Sequence, residues 1–175
     1  MTRAPVAQAY ETLDRGTRRL AALAADSLLA SPWPAAGADR VRIRYVGNCL
    51  RELDRFLHIL IDEAAGPAAP ERLSLAATTA AKLGDHAAPY GDRAADQIRL
   101  HALARTRLCL SHGDGRANRP DRRDGDRMTA GWFAPASTTV LRRYAIGERL
   151  RPSSGDIIGV SAFYRRLADR VVATA

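Results

Sequence analysis

The first apolar positions of the chain recur at three- and four-residue steps. Tyr10, Leu13, Thr17, Leu20, Leu23, Ala24 and Leu28 fall on one helical face, which predicts a helix from Pro5 to Ala30. Two prolines and a glycine in "SPWPAAG" end it. A more amphipathic helix follows in "DRVRIRYVGNCLRELDRFLHILIDEA". Its stripe is Tyr45, Cys49, Leu53, Phe56, Leu57, Leu60 and Ile61, with Arg44, Arg51, Glu52 and Arg55 on the other faces. "GPAAP" closes it. A weaker third helix is predicted from Glu71 to Leu83, and "GDHAAPYGD" separates it from a fourth, Arg93 to Leu110. That fourth helix carries Ile98, Leu100, Leu103, Leu108 and Leu110.

After a loop rich in Gly, Asp and Arg the pattern shifts. "STTVLRRYAIGERLRPSSGD" alternates β-branched and polar residues and predicts a short hairpin with Gly147-Glu148 at its bend. "DIIGVSAFYRRLADRVVATA" returns to helical spacing, with Ser161 or Asp156 as the N-cap. No repeat of solenoid length is present. The expected architecture is all-α: a four-helix up-and-down bundle with a small β-hairpin excursion and a C-terminal helix, in a single domain over residues 1–175.

Composition agrees with a globular chain. Of 175 residues, 46% are hydrophobic and 26% charged, and the Ala-rich apolar share favours helix. No apolar run approaches the ~20 residues of a membrane span, and no secretion signal opens the chain, so no membrane and a cytoplasmic location are expected. The net charge of +8 points to an anionic partner, with nucleic acid the first candidate. Lys82 is the only lysine among the 27 basic residues, an arginine bias that a GC-rich genome produces as readily as phosphate binding does. Cys49 and Cys109 sit in apolar helical patterns and read as buried structural thiols. The four histidines are scattered without HExxH or Cys partners, so no metal is expected, and no cofactor either. The loop "GDGRANRPDRRDGD" lacks calcium-loop spacing and reads as a mobile surface segment suited to RNA or a partner. A P-loop is absent, and "GVSAF" lacks the second glycine of a hydrolase nucleophile elbow.

The segment that carries candidate chemistry is "RTRLCLSHGDG". A helix turns about 100° per residue, so Arg105 and His112 differ by about 20° and share a face. Arg107 and His112 differ by about 140° and converge only if the helix ends before His112. A histidine beside an arginine suits metal-free RNA cleavage. The imidazole takes a proton from a 2′-hydroxyl or returns one to the leaving oxygen, while the guanidinium holds the phosphate. The plain alternative is a surface histidine and solvated arginines at a helix C-terminus, where positive charge meets the negative end of the dipole.

This arrangement resembles the HEPN superfamily (higher eukaryote and prokaryote nucleotide-binding), helical bundles whose motif is an Arg, a polar residue, a few more residues and a His near a helix end. "CLSHGDG", with a glycine-bearing turn after the His, is similar to theirs. So are "RYVGNCLRELDRF", with Asn48 and Glu52 one turn apart on an earlier helix, and the closing "GERLRPSSGDIIGVSAFYRRLADRV". The resemblance covers residues 40 to 172 in outline. It implies a metal-independent endoribonuclease of a toxin–antitoxin or phage-defence system, often a homodimer with two motifs lining one cleft. An antitoxin or nucleotidyltransferase partner goes with that setting. His112 would be the general acid/base and Arg107 or Arg105 the phosphate holder, with Asn48, Glu52 and Ser111 in support. Arg107 has the four-residue spacing but is followed by Leu108 where the family prefers a polar residue. Arg105 has six intervening residues and is followed by Thr106. Other family members have lost catalysis and serve as interaction modules. A helical interaction module and a basic nucleic-acid-binding regulator are therefore the competing readings. Glu52 has a plain role too, pairing with Arg51 or Arg55 along the helix.

Overall fold

The computed structural model describes residues 4–26, 36–66, 78–85 and 93–175. Within them the chain is mainly helical: five helices and one two-stranded antiparallel hairpin, with helix packing consistent with a bundle. In chain order they are α1 (Ala4–Ala25), α2 (Ala36–Ala65), α3 (Thr79–Asp85), α4 (Arg93–His112), β1 (Arg127–Phe133), β2 (Leu141–Ala145) and α5 (Ser154–Val172). α1 packs on α5 and α2, α2 packs on α4, and β1 lies against α4. Among the described residues, no helix is long and apolar enough to cross a membrane.

The helical periodicities produce these elements with local shifts of face. α1 buries Val6, Leu13, Thr17, Leu20 and Ala24, and residues 27–30 of the expected helix, Leu28 included, lie outside the described residues. On α2 the buried positions are Val46, Leu50, Leu53, Leu57, Leu60 and Ile61, so the N-terminal half turns by one residue from the expected stripe. Tyr45 is exposed and Cys49 only partly covered, because Gly47 brings that part of α2 close to α4. A Cβ at Gly47 would stand 2.6 Å from Ser111 Oγ and 3.0 Å from Leu110 Cβ. The third helix is described as Thr79–Asp85, and residues 71–77 of the expectation lie outside the described residues. α4 buries Leu100, Leu103 and Leu110 as expected, whereas Ile98 is exposed and Leu108 half-buried.

The hairpin differs from its expected placement. "LRRYA" of the expected stretch is β2, but its partner is the preceding "RMTAGWF" and the bend is residues 134–140. Met128, Ala130 and Trp132 of β1 point inward at the two-residue period of a strand, and Trp132 Nε1 donates to Tyr144 Oη at 3.0 Å. Gly147-Glu148 bends the chain away from β2 and back onto the turn after α4. Gly147 N donates to Ala117 O at 2.7 Å and Ala117 N to Glu148 O at 2.9 Å. Gly147 takes φ +89°, a conformation that favours glycine.

The last helix also starts differently. Ser153 is its N-cap, and Asp156 stands at N3 of a capping box rather than at the cap. Ser161 is buried mid-helix and donates to Ile157 O at 3.0 Å.

β1 is tied to α4 by close backbone approach. Gly131 N donates to the buried Thr106 Oγ1 at 3.2 Å, and a Cβ on Gly131 would overlap the Leu103 side chain and lie 3.0 Å from its Cα. Gly131→Ala is therefore expected to cost about 1–3 kcal/mol through overpacking. Urea denaturation monitored by circular dichroism checks this, and an unchanged midpoint would contradict it.

Candidate functional site

The candidate motif lies on the C-terminal half of α4. The helix continues through His112, and its end is closed by Gly113 N and Gly115 N, both donating to Cys109 O at 3.0 Å. The condition for Arg107 and His112 to converge within one chain is thus not met, and they remain about 140° apart around the axis. Asp114 at φ 52° and Gly115 at φ +72° make the left-handed turn that follows. His112 itself is exposed at this helix end.

Each arginine of the motif has a carboxylate partner. Arg107 Nη1 donates to Asp54 Oδ2 of α2 at 2.6 Å. Tyr164 of α5, fully buried, is hydrogen-bonded to the same carboxylate; burial pushes its phenol far above the usual value, and Asp54 adds to that. Asp54 therefore joins α2, α4 and α5. Arg105 Nη2 lies 2.9 Å from Asp121 Oδ1, and Asp121 Oδ2 accepts from Thr129 N and Oγ1 of β1. Thr106, the polar neighbour of Arg105, points into the core.

The supporting residues separate. Ser111 packs on Gly47. Asn48, next to that contact on α2, is exposed. Glu52 lies 3.6 Å from Arg51 and 3.7 Å from Arg55, the plain pairing along the helix surface.

The residues that do meet Arg107 are not those the motif singles out. Between α2, α3 and α4 runs a groove of about 450 Å³ lined by Arg51, Asp54, Arg55, His58, His101 and Arg107, with Thr79 at its α3 side. Asp54 holds one nitrogen of Arg107, and among the described residues no other acceptor is bonded to this guanidinium. His58 Nδ1 is 3.4 Å from Thr79 Oγ1, and its Nε2 is 3.9 Å from Asp62 Oδ2. Asp62 is ion-paired with the buried Lys82. Asp54 and His58 stand one helical turn apart, a spacing visible in the sequence. Their approach to Arg107, 53 positions from Asp54, is not.

A second basic hollow, about 280 Å³, borders the turn after His112. Arg42, Arg149 and Arg151 line it with Ile43, Val46 and Leu150. Gly115 of that turn packs on Ile43, and Leu150 N donates to Gly115 O at 2.7 Å.

The loop after α4 is more ordered than its composition suggests. Asp114 pairs with Arg40 at 2.8 Å, Asp121 with Arg105, and Asp124 with Arg143. These carboxylates pin the loop to α2, α4 and β2, and leave its arginines Arg119, Arg122 and Arg123 exposed. Cys109 is buried against Asn118 and Met128, and burial raises its thiol, as it does that of Cys49. Neither thiol has the lowered pKa of a nucleophile. Among the described residues no group of three or more His, Cys, Asp or Glu is placed to hold a metal ion. His86 lies outside the described residues.

No protein-family model, curated protein or solved structure matches the chain. The site must be read from its own chemistry.

Burial, and then the Lys82 charge, holds the His58 imidazole below its usual value, with Asp62 and Asp54 opposing. The unfolded chain therefore takes up this proton more readily than the folded one. The His58 contribution is present above the unfolded pKa and is lost as pH falls through the folded one. From about pH 7 to about pH 5 the urea midpoint should fall, and His58→Gln should flatten that slope. Parallel slopes in the two proteins would count against the assignment.

Proposed function

We propose that the protein is a HEPN-like helical bundle that acts on RNA as a metal-independent endoribonuclease. Arg107 holds the scissile phosphate and His112 moves the proton. The observation that carries this reading is Arg107 itself. Asp54 fixes one of its nitrogens, and the rest of the guanidinium faces an open groove that also holds Arg51, Arg55, His58 and His101. An arginine oriented in this way presents a preformed fork to a phosphate. His112 is exposed at the end of α4, and Gly115 of the turn that follows it packs on Ile43 of the Arg42, Arg149 and Arg151 hollow.

The chemistry balances without a metal. An imidazole accepts the 2′-hydroxyl proton as that oxygen attacks phosphorus. The departing 5′-oxygen is then protonated, and guanidinium charge offsets the negative charge that builds on the phosphoryl oxygens. Within one chain Arg107 and His112 face apart, so the reading includes a homodimer in which His112 of one copy approaches Arg107 of the other. Arg105 is the other candidate phosphate holder, reached by releasing Asp121. A toxin–antitoxin or defence setting, with an antitoxin or nucleotidyltransferase partner, belongs to the same proposal.

A second reading is a catalytically silent module that binds RNA or a protein partner with the same surface. Two observations favour it: both arginines are held by carboxylates, and Leu108 occupies the position next to Arg107. The two readings separate in a cleavage assay on single-stranded RNA with chelator present. His112→Ala should lower the cleavage rate by at least about 100-fold, the usual worth of a general acid/base, with circular dichroism unchanged. Undiminished cleavage by His112→Ala removes His112 from the mechanism. RNA binding without cleavage by the unaltered dimer, with affinity falling steeply in salt, establishes the silent module.

A further inference from the structure

Cleavage moves two protons, one from the 2′-hydroxyl and one to the departing 5′-oxygen, and His112 accounts for only one of them. The Arg107 groove holds an imidazole on each of its long walls, His58 from α2 and His101 from α4. His101 is exposed, and among the described residues nothing is bonded to its ring. His58 is half-buried, and its ring is held in place.

Thr79 Oγ1 is 3.4 Å from His58 Nδ1 and also 3.4 Å from the backbone carbonyl of Asp54. The carbonyl can only accept, and a hydroxyl has one proton to give. A single assignment satisfies both contacts: Thr79 donates to Asp54 O, and Nδ1–H donates to Thr79 Oγ1. The lone pair of the neutral ring is then on Nε2. Nε2 is 3.9 Å from Asp62 Oδ2, outside hydrogen-bond reach, and among the described residues no donor occupies it. Asp62 is itself engaged by the buried Lys82. The charged and titratable groups around the ring are Arg51, Asp54, Arg55 and Asp62 of α2, Lys82 of α3, and His101 and Arg107 of α4. Burial and the Lys82 charge outweigh the two carboxylates, so the ring is neutral near neutral pH and ready to accept a proton.

Asp54 and His58 stand one turn apart on α2, about 6 Å along its axis. Asp54 holds Arg107, so a base and a phosphate fork are set along one groove at an interval that a ribose and its 3′-phosphate can bridge. We propose that His58 is the general base of the reaction, its Nε2 taking the 2′-hydroxyl proton of the ribose whose 3′-phosphate lies on Arg107. The 2′-oxygen attacks phosphorus, the bond to the 5′-oxygen breaks, and that oxygen takes its proton from His112. The products are a 2′,3′-cyclic phosphate and a 5′-hydroxyl end. This assignment rests on the ribonuclease reading and adds its second proton-transfer group, with Thr79 as the positioning residue.

Replacing the bridging 5′-oxygen of the substrate by sulfur gives a leaving group that departs without a proton, which separates the two roles. On ordinary RNA with chelator present, His58→Gln should cleave at least about 100-fold more slowly than the unaltered chain, as should His112→Ala. On the 5′-thio substrate His112→Ala should regain most of its rate, whereas His58→Gln should stay slow. The acidic limb of kcat/KM, expected below about pH 6.5, should be absent from His58→Gln. Gln keeps a donor toward Thr79, and thermal melting checks that the fold is retained. Imidazole added to His58→Ala should restore cleavage, which a merely structural defect would not allow. Undiminished cleavage by His58→Gln, with His112→Ala inactive, overturns the assignment and leaves the ribonuclease reading standing. Rescue of His58→Gln by the 5′-thio substrate overturns it as well. An unaltered chain that cleaves no RNA removes both.

Discussion

The Asp54 carboxylate is the point on which the helical assembly turns. It accepts from Arg107 of α4 and from Tyr164 of α5 while standing on α2, so one side chain links three helices that are distant in sequence. Both partners are costly to place without it. A fully buried phenol and a largely covered guanidinium each need a polar counterpart, and removing the shared acceptor strands two groups at once. The same bond sets the rotation of α4 about its axis. That rotation decides which of its side chains face the α2 groove and which face the hairpin.

α4 is held close to two neighbouring elements by two glycines. Gly47 lets α2 approach at Ser111, and Gly131 lets β1 approach at Leu103, where Thr106 accepts from the strand backbone. Packing this close leaves little room for α4 to rotate or slide, because interiors are already dense. Its two polar faces are thus presented by a rigid element: His101 and Arg107 toward the α2 groove, Arg99 and Asp96 toward the cleft that α4 forms with the hairpin and α5. A rigid presenter suits recognition of a phosphate, where fork geometry counts as much as charge.

Much of this was legible in the sequence where periodicity is strong. Helical spacing located α1, α2, α4 and α5 near their observed limits, since each buries one face. The strand β1 was not legible. Its inward residues Met128, Ala130 and Trp132 do alternate, but they follow directly on a charged loop, and Gly147-Glu148 gave a stronger turn signal further on. That pair does turn the chain, toward residues 115–117 rather than into a hairpin. For the site, the motif pointed to α4 and to its arginines, and the structure places Arg107 in a groove. It could not reveal that Asp54 is the partner of Arg107, that Asp121 is the partner of Arg105, or that His58 and His101 line the groove. Those are long-range meetings fixed by how α2, α4 and β1 stack, and no local spacing encodes them.

The hairpin turn has a bearing on how such a chain diversifies. Residues 134–140 close on themselves through Ala134 N to Val140 O and the Ser137 hydroxyl, and they project Thr138 and Thr139 over the cleft without entering the helical core. Lengthening or shortening this turn reshapes the mouth of the cleft and leaves the helix contacts untouched, since surface loops accept insertions at small entropic cost. The shape of this cleft and folding stability are therefore separable traits here, and drift in one need not be compensated in the other.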